Sequence, residues 1–384
     1  MKYNFDELTE RRNTGSYKWD SSEDDNMLPM WVADMDFRTA PEIIEALKKK
    51  VEDGIFGYVK VDDSYYNAVI EWFNCNHGWS INKEKIIYTS GVVPAISAII
   101  KALSTPGDGV VVQTPAYNCF FSSVRNNGCR IIENPLKRIE TSKGFTYQID
   151  WENLQDVFLK EKPRLLILCN PHNPSGRVWD YGELKKLRDM CRMHNVRVIS
   201  DEIHCELTYP DYSYIPYATV DEDAVICCSP SKAFNIAGLQ IANIIVPTEE
   251  VYAKVDRAIN DNEVCDVNPF GVIALKTAYN EGGEWLMRLK NYLYENYLFL
   301  REEINKRMPM LKICDSESTY LAWIDVSALK MPACEVEELV KRRSKVWINA
   351  GEMYGAEGYI RINYACPRRR LEEGLDRFCR AFGR

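Results

Sequence analysis

The middle of this 384-residue chain repeats one pattern, and that pattern limits the possible folds most strongly. Short apolar runs rich in β-branched residues end in turns, and stretches with helical periodicity follow several of them, as at Pro94–Leu103 and Tyr181–His194. Apolar strands that alternate with amphipathic helices are typical of a parallel sheet covered on both faces. We therefore expect an α/β fold with a seven-stranded, mostly parallel sheet flanked by helices. The predicted strands are Lys85–Thr89, Gly109–Gln113, Arg130–Glu133, Arg164–Cys169, Val196–Ser200, Ala224–Cys228 and Ala242–Val246.

A different pattern begins near Glu281 and predicts a smaller α+β domain. A long charged helix at Glu284–Met308 precedes the strand-like TYLAWIDV, a helix at Cys334–Arg343, the short strands VWINA and YIRINYA, and a helix that starts near Arg368. Residues 1–45 are polar and offer little core of their own, so we expect them to pack with the small domain. The predicted division is an N-terminal segment at 1–45, a large domain at 46–283 and a small C-terminal domain at 284–384.

The charge of the chain argues against nucleic acids and anionic membranes as partners. Its 48 Lys and Arg against 56 Asp and Glu give a net charge of −8, whereas phosphate binding requires clustered positive charge. The triplet Arg368–Arg370 is better explained as the solvated start of a helix. No apolar stretch approaches the roughly 20 residues that cross a bilayer, and the charged N-terminal sequence shows no signal-peptide pattern. We expect a cytoplasmic protein.

The cysteines give little support for a metal site. The chain contains 13 cysteines and no CxxC pair, and several lie in or beside apolar runs, where a reducing compartment leaves them as small buried side chains. Cys75 and His77 could form a ligand pair, but no second pair follows nearby to complete a zinc site. We therefore expect no metal.

Polar residues that follow the predicted strands are the candidates for function, because ligands of open parallel sheets bind beyond the carboxyl ends of the strands. After the first strand, the glycine turn Ser90–Pro94 opens a helix whose free N–H groups suit a phosphate. Tyr117 follows the second strand. The rigid loop Asn170–Gly176, with two Asn-Pro steps around Asn173, follows the fourth strand.

A carboxylate and an amine follow the fifth and sixth strands. Asp201 follows a buried strand, where a carboxylate requires a cation or a donor. Lys232 lies between small hydroxyl residues and is the candidate for a lowered pKa. Taken singly, Asp201 could be a helix cap, Lys232 a solvated loop lysine, Asn173 a turn former and Tyr117 a core aromatic. Together they describe a site for a phosphorylated, aromatic, carbonyl-bearing cofactor. Pyridoxal 5′-phosphate (PLP) fits this description, and the glycine motifs of nicotinamide and nucleoside triphosphate sites do not occur.

Several strings of the sequence resemble a known family. NPHNPSGRVW, SDEIHCEL and SPSKAFNIAGLQ are similar to those of fold-type-I PLP enzymes of the aspartate aminotransferase superfamily. RRNTGSYKWD, LPMWVADMDF, FGYVKVDDSYYNAVIEW, SGVVPAI and RINYACPR resemble the MalY/PatB branch of that superfamily. Members of this branch are cystathionine β-lyases, also called cysteine-S-conjugate β-lyases. The resemblance runs from about residue 3 to the C-terminus.

The resemblance implies a role for each candidate residue. Lys232 matches the lysine that forms a Schiff base with the cofactor, Asp201 the partner of the pyridine nitrogen, and Asn173 the donor to the ring O3′. Tyr117 matches the aromatic residue that stacks on the ring. His204 is either a group behind Asp201 at the cofactor or an ordinary loop histidine. The implied phosphate-binding groups are the backbone of Gly91, Val92 and Val93 and the hydroxyls of Ser229 and Ser231.

Two implied roles concern the substrate and the neighbouring subunit. Arg361 matches the arginine that binds the substrate α-carboxylate as a bidentate fork, with Asn173 beside it. Tyr58 matches a tyrosine that reaches the cofactor phosphate and substrate of the neighbouring subunit, which implies a homodimer with shared active sites. Gln240 is a departure, because many aminotransferases have a phosphate-binding arginine eight residues after the lysine. The segment with Asp34 and Asp36 is expected to line substrate access rather than to bind a metal.

The implied activity is that of a PLP-dependent carbon–sulfur β-lyase. Such an enzyme cleaves L-cystathionine or another S-substituted L-cysteine to a thiol, pyruvate and ammonia, with Lys232, Asp201 and Tyr117 as catalytic residues. An aminotransferase that uses the same residues is the first alternative. A regulatory protein that binds a transcription activator is an alternative of another class.

Overall fold

A central sheet of seven strands organises the structure, a computed structural model that describes residues 3–261 and 266–383. The strands of the described chain are β1 (Leu28–Pro29), β2 (Ile86–Thr89), β3 (Gly109–Val112), β4 (Arg130–Glu133), β5 (Lys137–Glu140), β6 (Phe145–Gln148), β7 (Leu165–Cys169), β8 (Arg197–Asp201), β9 (Val225–Cys228), β10 (Ala242–Ile245), β11 (Lys312–Ile313), β12 (Leu321–Asp325), β13 (Val346–Trp347), β14 (Asn349–Ala350) and β15 (Tyr359–Asn363). The helices are α1 (Pro41–Glu52), α2 (Asp63–His77), α3 (Val92–Leu103), α4 (Asn118–Asn126), α5 (Trp151–Glu161), α6 (Tyr181–Met193), α7 (Glu249–Asn260), α8 (Pro269–Glu281), α9 (Gly283–Arg307), α10 (Ala333–Ser344) and α11 (Arg368–Arg380).

The seven predicted strands form the seven-stranded sheet, in the order β2-β10-β9-β8-β7-β3-β4. The pairs from β9 to β4 are parallel, and β10 runs antiparallel to both of its neighbours. The α/β prediction is therefore confirmed. The end of one strand differs from the prediction: Asp201 is the last residue of β8, whereas the predicted strand ended at Ser200.

Apolar side chains cover the sheet on both faces, as the continuous apolar strands predict. Along β7, Leu165 and Ile167 pack with residues of α3, α4 and α7, whereas Leu166 and Leu168 point to the opposite face and pack with α5, α6 and α8. This alternation follows from the two-residue period of a strand. The buried strands fix the sheet and leave the loops at its carboxyl edge to carry polar groups.

A second sheet of four antiparallel strands follows in the C-terminal part, in the order β11-β12-β15-β14. The segment VWINA, predicted as one strand, forms two short ones. Val346 and Trp347 pair with the N-terminal strand β1, while Asn349 and Ala350 pair with β15. The split lets one short segment hold both the small sheet and the N-terminal segment.

The N-terminal segment lies along the small sheet and continues toward the large one. Met30 O accepts a hydrogen bond from Asn363 N at 2.8 Å, and Asp36 N donates to Ala365 O at 2.8 Å. Helix α1 then packs against α8. The domain boundaries after residues 45 and 283 stay a prediction. Within the described residues, the structure contains no helix that is long and apolar enough to cross a membrane.

Candidate active site

Four of the predicted site residues lie at the carboxyl ends of neighbouring strands. The strands β3, β7, β8 and β9 are neighbours in the sheet. Asp201 is the last residue of β8, while Tyr117 follows β3, Asn173 follows β7 and Lys232 follows β9. Their charges influence each other, because Lys232 lowers the pKa of Asp201 and Asp201 raises that of Tyr117. The structure therefore brings together an amine, a carboxylate, an amide and a phenol.

Lys232 is held under the N-terminal segment. Its Nζ donates to Ala33 O at 2.7 Å, and Tyr320 Oη donates to the same carbonyl at 3.0 Å. Burial lowers the pKa of Lys232 to about 8, although the negative charges of Asp34 and Asp201 oppose this shift. A lysine with this pKa has a substantial neutral fraction in mildly alkaline solution, as a proton acceptor requires.

Asn235 ties the lysine loop to the N-terminal segment. Its Oδ1 accepts from Met35 N at 3.0 Å, and its Nδ2 donates to Met35 O at 3.0 Å and to Phe37 O at 2.8 Å. Its φ of 54° lies in the left-handed region, which asparagine tolerates better than most residues. These bonds fix the position of the Lys232 backbone.

Asp201 is buried without a cation bound to it. The residue is 3% exposed, and its Oδ1 accepts from Ile203 N at 3.1 Å. Oδ2 accepts no hydrogen bond from the described residues. Burial raises the pKa of Asp201 to about 7, and the Ile203 N–H and Lys232 lower it only in part. A positively charged donor beside Oδ2 would keep this carboxylate ionised.

Arg361 on β15 is a second buried charge without a counterion. It is 3% exposed and forms no ion pair within the described residues. Nη1 donates to Asn173 Oδ1 at 3.3 Å and Nη2 to Trp31 O at 2.9 Å, while Nε has no partner among the described residues. The guanidinium lies 4.7 Å from the Tyr354 ring centroid. A buried arginine of this kind is a binding group for an anionic ligand.

Tyr117 and His204 complete the polar wall of the site. Burial raises the pKa of Tyr117 above its ordinary value, so its phenol stays protonated at neutral pH. His204 is 2% exposed, and burial together with the charges of Lys232 and Arg361 lowers its pKa to about 3. Its Nδ1 has no partner among the described residues, which sets His204 apart from a hydrogen-bonded loop histidine.

The predicted phosphate-binding groups meet around the start of β10. Ala242 pairs with Thr89 and Asn243 pairs with Cys228, so the turn Ser90–Val93 and the segment from Ser229 lie at the same sheet edge. Gly91 caps α3, whose first residues are Val92 and Val93. The Ser229 hydroxyl donates to Ile241 O at 2.6 Å and accepts from Ser231 N at 3.0 Å. Gln240 immediately precedes this edge and is exposed.

Tyr58 lies outside the site of its own chain. It is 94% exposed in the segment between α1 and α2, and its neighbours Ile55 and Phe56 are 75% and 57% exposed. The described chain buries none of these three apolar side chains.

Asp34 and Asp36 are held by cations of the protein itself. Asp34 pairs with Arg11 at 2.9 Å and with Lys18 at 3.4 Å, and buried Asp36 pairs with Arg11 at 2.9 Å and with Lys18 and Arg370 at 3.2 Å. These ion pairs hold the Trp31–Phe37 segment in place, and its expected role in lining substrate access stays a prediction.

The other metal candidate also has a structural partner. His77 Nε2 lies 2.8 Å from Glu206 Oε1, which also accepts from Trp72 Nε1 at 2.7 Å, while Cys75 is exposed. Within the described ranges, no group of three or more metal-ligating side chains occurs. The expectation that the protein holds no metal stays a prediction.

Sequence reasoning missed the residues that hold the site through their backbone. Trp31 and Ala33 offer carbonyl oxygens to Arg361 and Lys232, and Asn363 Nδ2 donates to Val32 O at 2.5 Å and to Asp34 O at 2.6 Å. Every residue has a backbone carbonyl, so the residue type does not show which carbonyl accepts a hydrogen bond. The string LPMWVADMDF was the one available signal.

The comparisons with known proteins agree with this geometry. The family model described as aminotransferase class I and II matches residues 25–378. Cystathionine beta-lyase PatB of Bacillus subtilis is 40% identical over 97% of this chain and 98% of its own length. Protein MalY of Escherichia coli is 32% identical over 97% of each chain. The crystal structure of the PLP-bound C–S lyase from Staphylococcus hominis superposes with a TM-score of 0.91 at 32% identity, over 99% of this chain and 98% of that one.

These similarities extend over nearly the whole chain, and the fold-type-I architecture expected from the sequence is confirmed. The chain therefore belongs to the aminotransferase class I and II family and, within it, to the branch that contains PatB and MalY.

Proposed function

We propose that this protein is a PLP-dependent carbon–sulfur β-lyase that converts L-cystathionine or a related S-substituted L-cysteine to a thiol, pyruvate and ammonia. One observation carries the proposal: Lys232, Asp201 and Arg361 are grouped charged side chains that form no ion pair among the described residues, and Arg361 Nε also lacks a hydrogen-bond partner there. The names of the relatives, cystathionine β-lyase and C–S lyase, support the same activity.

The residues present fit PLP. Asp201 Oδ2 is free to accept from a ring nitrogen, Asn173 lies beside Arg361, and the turn at Gly91 opens α3 with free N–H groups. Lys232 is the amine that would join the cofactor aldehyde. When bound, PLP supplies an aromatic ring that accepts the electron pair left on the substrate Cα.

Lys232 moves the proton in this scheme. Its pKa of about 8 allows the amine to accept the Cα proton of the substrate at mildly alkaline pH. The hydrogen bond to Ala33 O and the Asn235 contacts hold the lysine loop in one position. Asp201 keeps the ring nitrogen protonated by offering it a buried carboxylate. Asn173 holds the ring oxygen.

Arg361 and Tyr117 act on the substrate itself. The guanidinium binds the α-carboxylate and is oriented by Trp31 O and Asn173 Oδ1. Tyr117 remains protonated because burial raises its pKa, so it would offer an aromatic face to the cofactor, and either its phenol or the protonated Lys232 would donate a proton to the departing sulfur. His204 stays neutral because burial opposes its protonation.

An aminotransferase would use the same residues, so the two activities must be separated by their products. Incubation with L-cystathionine and no 2-oxo acid is expected to release pyruvate continuously, because loss of the sulfur leaves the cofactor ready for another cycle. Pyruvate is measured with lactate dehydrogenase. A single stoichiometric turnover that ends in pyridoxamine phosphate would contradict the lyase proposal and favour the transaminase.

We also infer that the working enzyme is a homodimer in which Tyr58 of one subunit serves the other. The exposed side chains of Ile55, Phe56 and Tyr58 support this inference, since an apolar patch of this kind marks an interaction surface. A cytoplasmic location stays a prediction. It is supported by the free thiols of Cys75 and Cys334, which are exposed.

Hybrid dimers test the shared site. Lys232→Ala and Tyr58→Ala subunits, each inactive or weakened alone, are unfolded together and refolded as an equal mixture. If Tyr58 acts across the interface, pairing at random restores about one quarter of the sites. Pyruvate release per subunit is the measurement, with refolded wild type as the control. An absence of recovery in a mixture that forms dimers would contradict the inference.

A further inference from the structure

Tyr320, the residue immediately before β12, shares a hydrogen-bond acceptor with Lys232. Its Oη lies 3.0 Å from Ala33 O, and Lys232 Nζ lies 2.7 Å from the same oxygen. The side chain is fully buried, and burial raises the pKa of Tyr320 above its ordinary value, so the phenol keeps its proton and remains a donor. A carbonyl oxygen has two lone pairs and can accept from both groups at once. Tyr320 and the lysine amine are therefore linked through one backbone oxygen.

The backbone that orients Tyr320 is strained. Thr319 has a φ of 71°, in the left-handed region, where a β-branched residue is an outlier. Contacts on both sides hold this conformation: Thr319 N donates to Leu207 O at 2.9 Å, and Thr319 O accepts from Tyr209 Oη at 2.9 Å. Tyr364 N then donates to Tyr320 O at 3.0 Å. Strained residues persist where the surrounding structure over-determines them, and they cluster at functional sites, so this turn indicates a functional role for the side chain that it orients.

Four consecutive carbonyls of the N-terminal segment accept hydrogen bonds from side chains in or beside the small sheet. The donors are Arg361 to Trp31 O, Asn363 to Val32 O and Asp34 O, and Tyr320 to Ala33 O. Strands β12 and β15 pair with each other, so these donors belong to one strand pair. Among the four oxygens, that of Ala33 is the one that also accepts from Lys232. Tyr320 thus connects the strand pair that carries Arg361 with the amine that moves the proton.

We propose that Tyr320 is a positioning residue for Lys232. By donating to Ala33 O, the Tyr320 hydroxyl fixes the direction of that carbonyl, and the carbonyl holds the lysine amine at the place from which it reacts. A carbonyl with one partner can turn with that partner, whereas a second donor from another part of the chain keeps it in one orientation. The inference rests on the proposed function, in which Lys232 joins the cofactor aldehyde and accepts the substrate proton.

Tyr320→Phe removes the hydroxyl and keeps the ring, whose centroid lies 6.1 Å from that of His204. Ala33 O keeps its bond from Lys232, so no buried carbonyl loses its last partner and the fold is expected to persist. The cofactor-free variant is mixed with PLP, and the rate at which PLP joins Lys232 is followed by absorbance and located by borohydride reduction and peptide mapping. We expect attachment to be about tenfold slower than in wild type, because a misplaced amine loses the advantage of orientation. The affinity for pyridoxamine 5′-phosphate, which forms no bond to the lysine, should change less than about twofold.

Tyr65→Phe is the matched control. Tyr65 is also fully buried, and its hydroxyl donates to Asn243 Oδ1 at 2.7 Å rather than to the acceptor of Lys232. Its attachment rate should match that of wild type. In the steady state, Tyr320→Phe should lower kcat for pyruvate release about tenfold and leave KM unchanged, because the contacts of Arg361 are kept.

The possible failures can be told apart. Equal attachment rates in wild type and Tyr320→Phe, or an equal delay in Tyr65→Phe, would overturn the positioning role. Failure of wild type to attach PLP to Lys232 would instead overturn the cofactor assignment on which the inference rests. Because attachment is measured before any turnover, an absence of lyase activity would leave this result unchanged.

Discussion

Replacement of Lys232 by alanine is expected to lower the rate of pyruvate release from L-cystathionine by about 10³-fold or more, the effect of losing a proton-transfer group. The side chain is the amine with a pKa lowered to about 8 at the strand edge that carries Asp201 and Tyr117. Borohydride reduction of the holoenzyme should fix the cofactor to Lys232 in wild type, as peptide mapping will show, and should fix none at this position in the variant.

A second substitution separates chemistry from structure. Lys232→Arg keeps a cation that can reach Ala33 O, but arginine does not release its proton in this pH range, so the variant should be as inactive as Lys232→Ala. Lys254→Ala is the matched control, because Lys254 lies on the exposed face of α7 and pairs with Glu250 at 2.6 Å. Full activity in Lys232→Ala, or equal loss in Lys254→Ala, would contradict the assignment.

The main sheet could be predicted because its strands are continuous apolar runs. Runs such as Leu165–Cys169 are apolar at every position, since both faces of the sheet are covered, and this pattern is visible in one sequence. Strand ends follow from strand positions, so Tyr117, Asn173, Asp201 and Lys232 could be placed at one edge. Their grouping needed no tertiary information beyond the rule that parallel strands end together.

The rest depends on contacts between distant parts of the chain. The hairpin of β5 and β6 was not predicted, because its strands are half polar. A β-bridge between Phe145 and Cys314 holds β6 in place, and residues so far apart in the sequence give no local pattern that predicts this contact. Arg361 reaches Trp31 O across 330 positions, and its place in the site followed only from the family resemblance. Backbone carbonyls, as at Trp31, carry no sequence signature of their acceptor role.

Asp201→Asn is expected to lower pyruvate release by about 10²-fold or more, because a neutral amide does not stabilise positive charge on a ring nitrogen. The substitution keeps the size of the side chain, and Oδ1 can still accept from Ile203 N. Asp223→Asn is the control, since Asp223 lies on the surface 3.6 Å from Arg192. In Asp201→Ala, a cofactor methylated on its ring nitrogen, and so permanently charged, should restore part of the activity.

The unfolding of the cofactor-free protein shows whether Asp201 acts through charge. Burial raises its pKa from 3.8 to about 7, so the folded protein binds this proton more tightly than the unfolded chain does. The stabilising effect of that proton is complete below pH 3.8 and is lost as the pH rises toward 7. Cofactor-free Asp201→Asn has no such loss and should unfold at a higher temperature than cofactor-free wild type at pH 8. An inactive variant that is also less stable at this pH would indicate a damaged fold, whereas an inactive but more stable one assigns the loss to the missing charge.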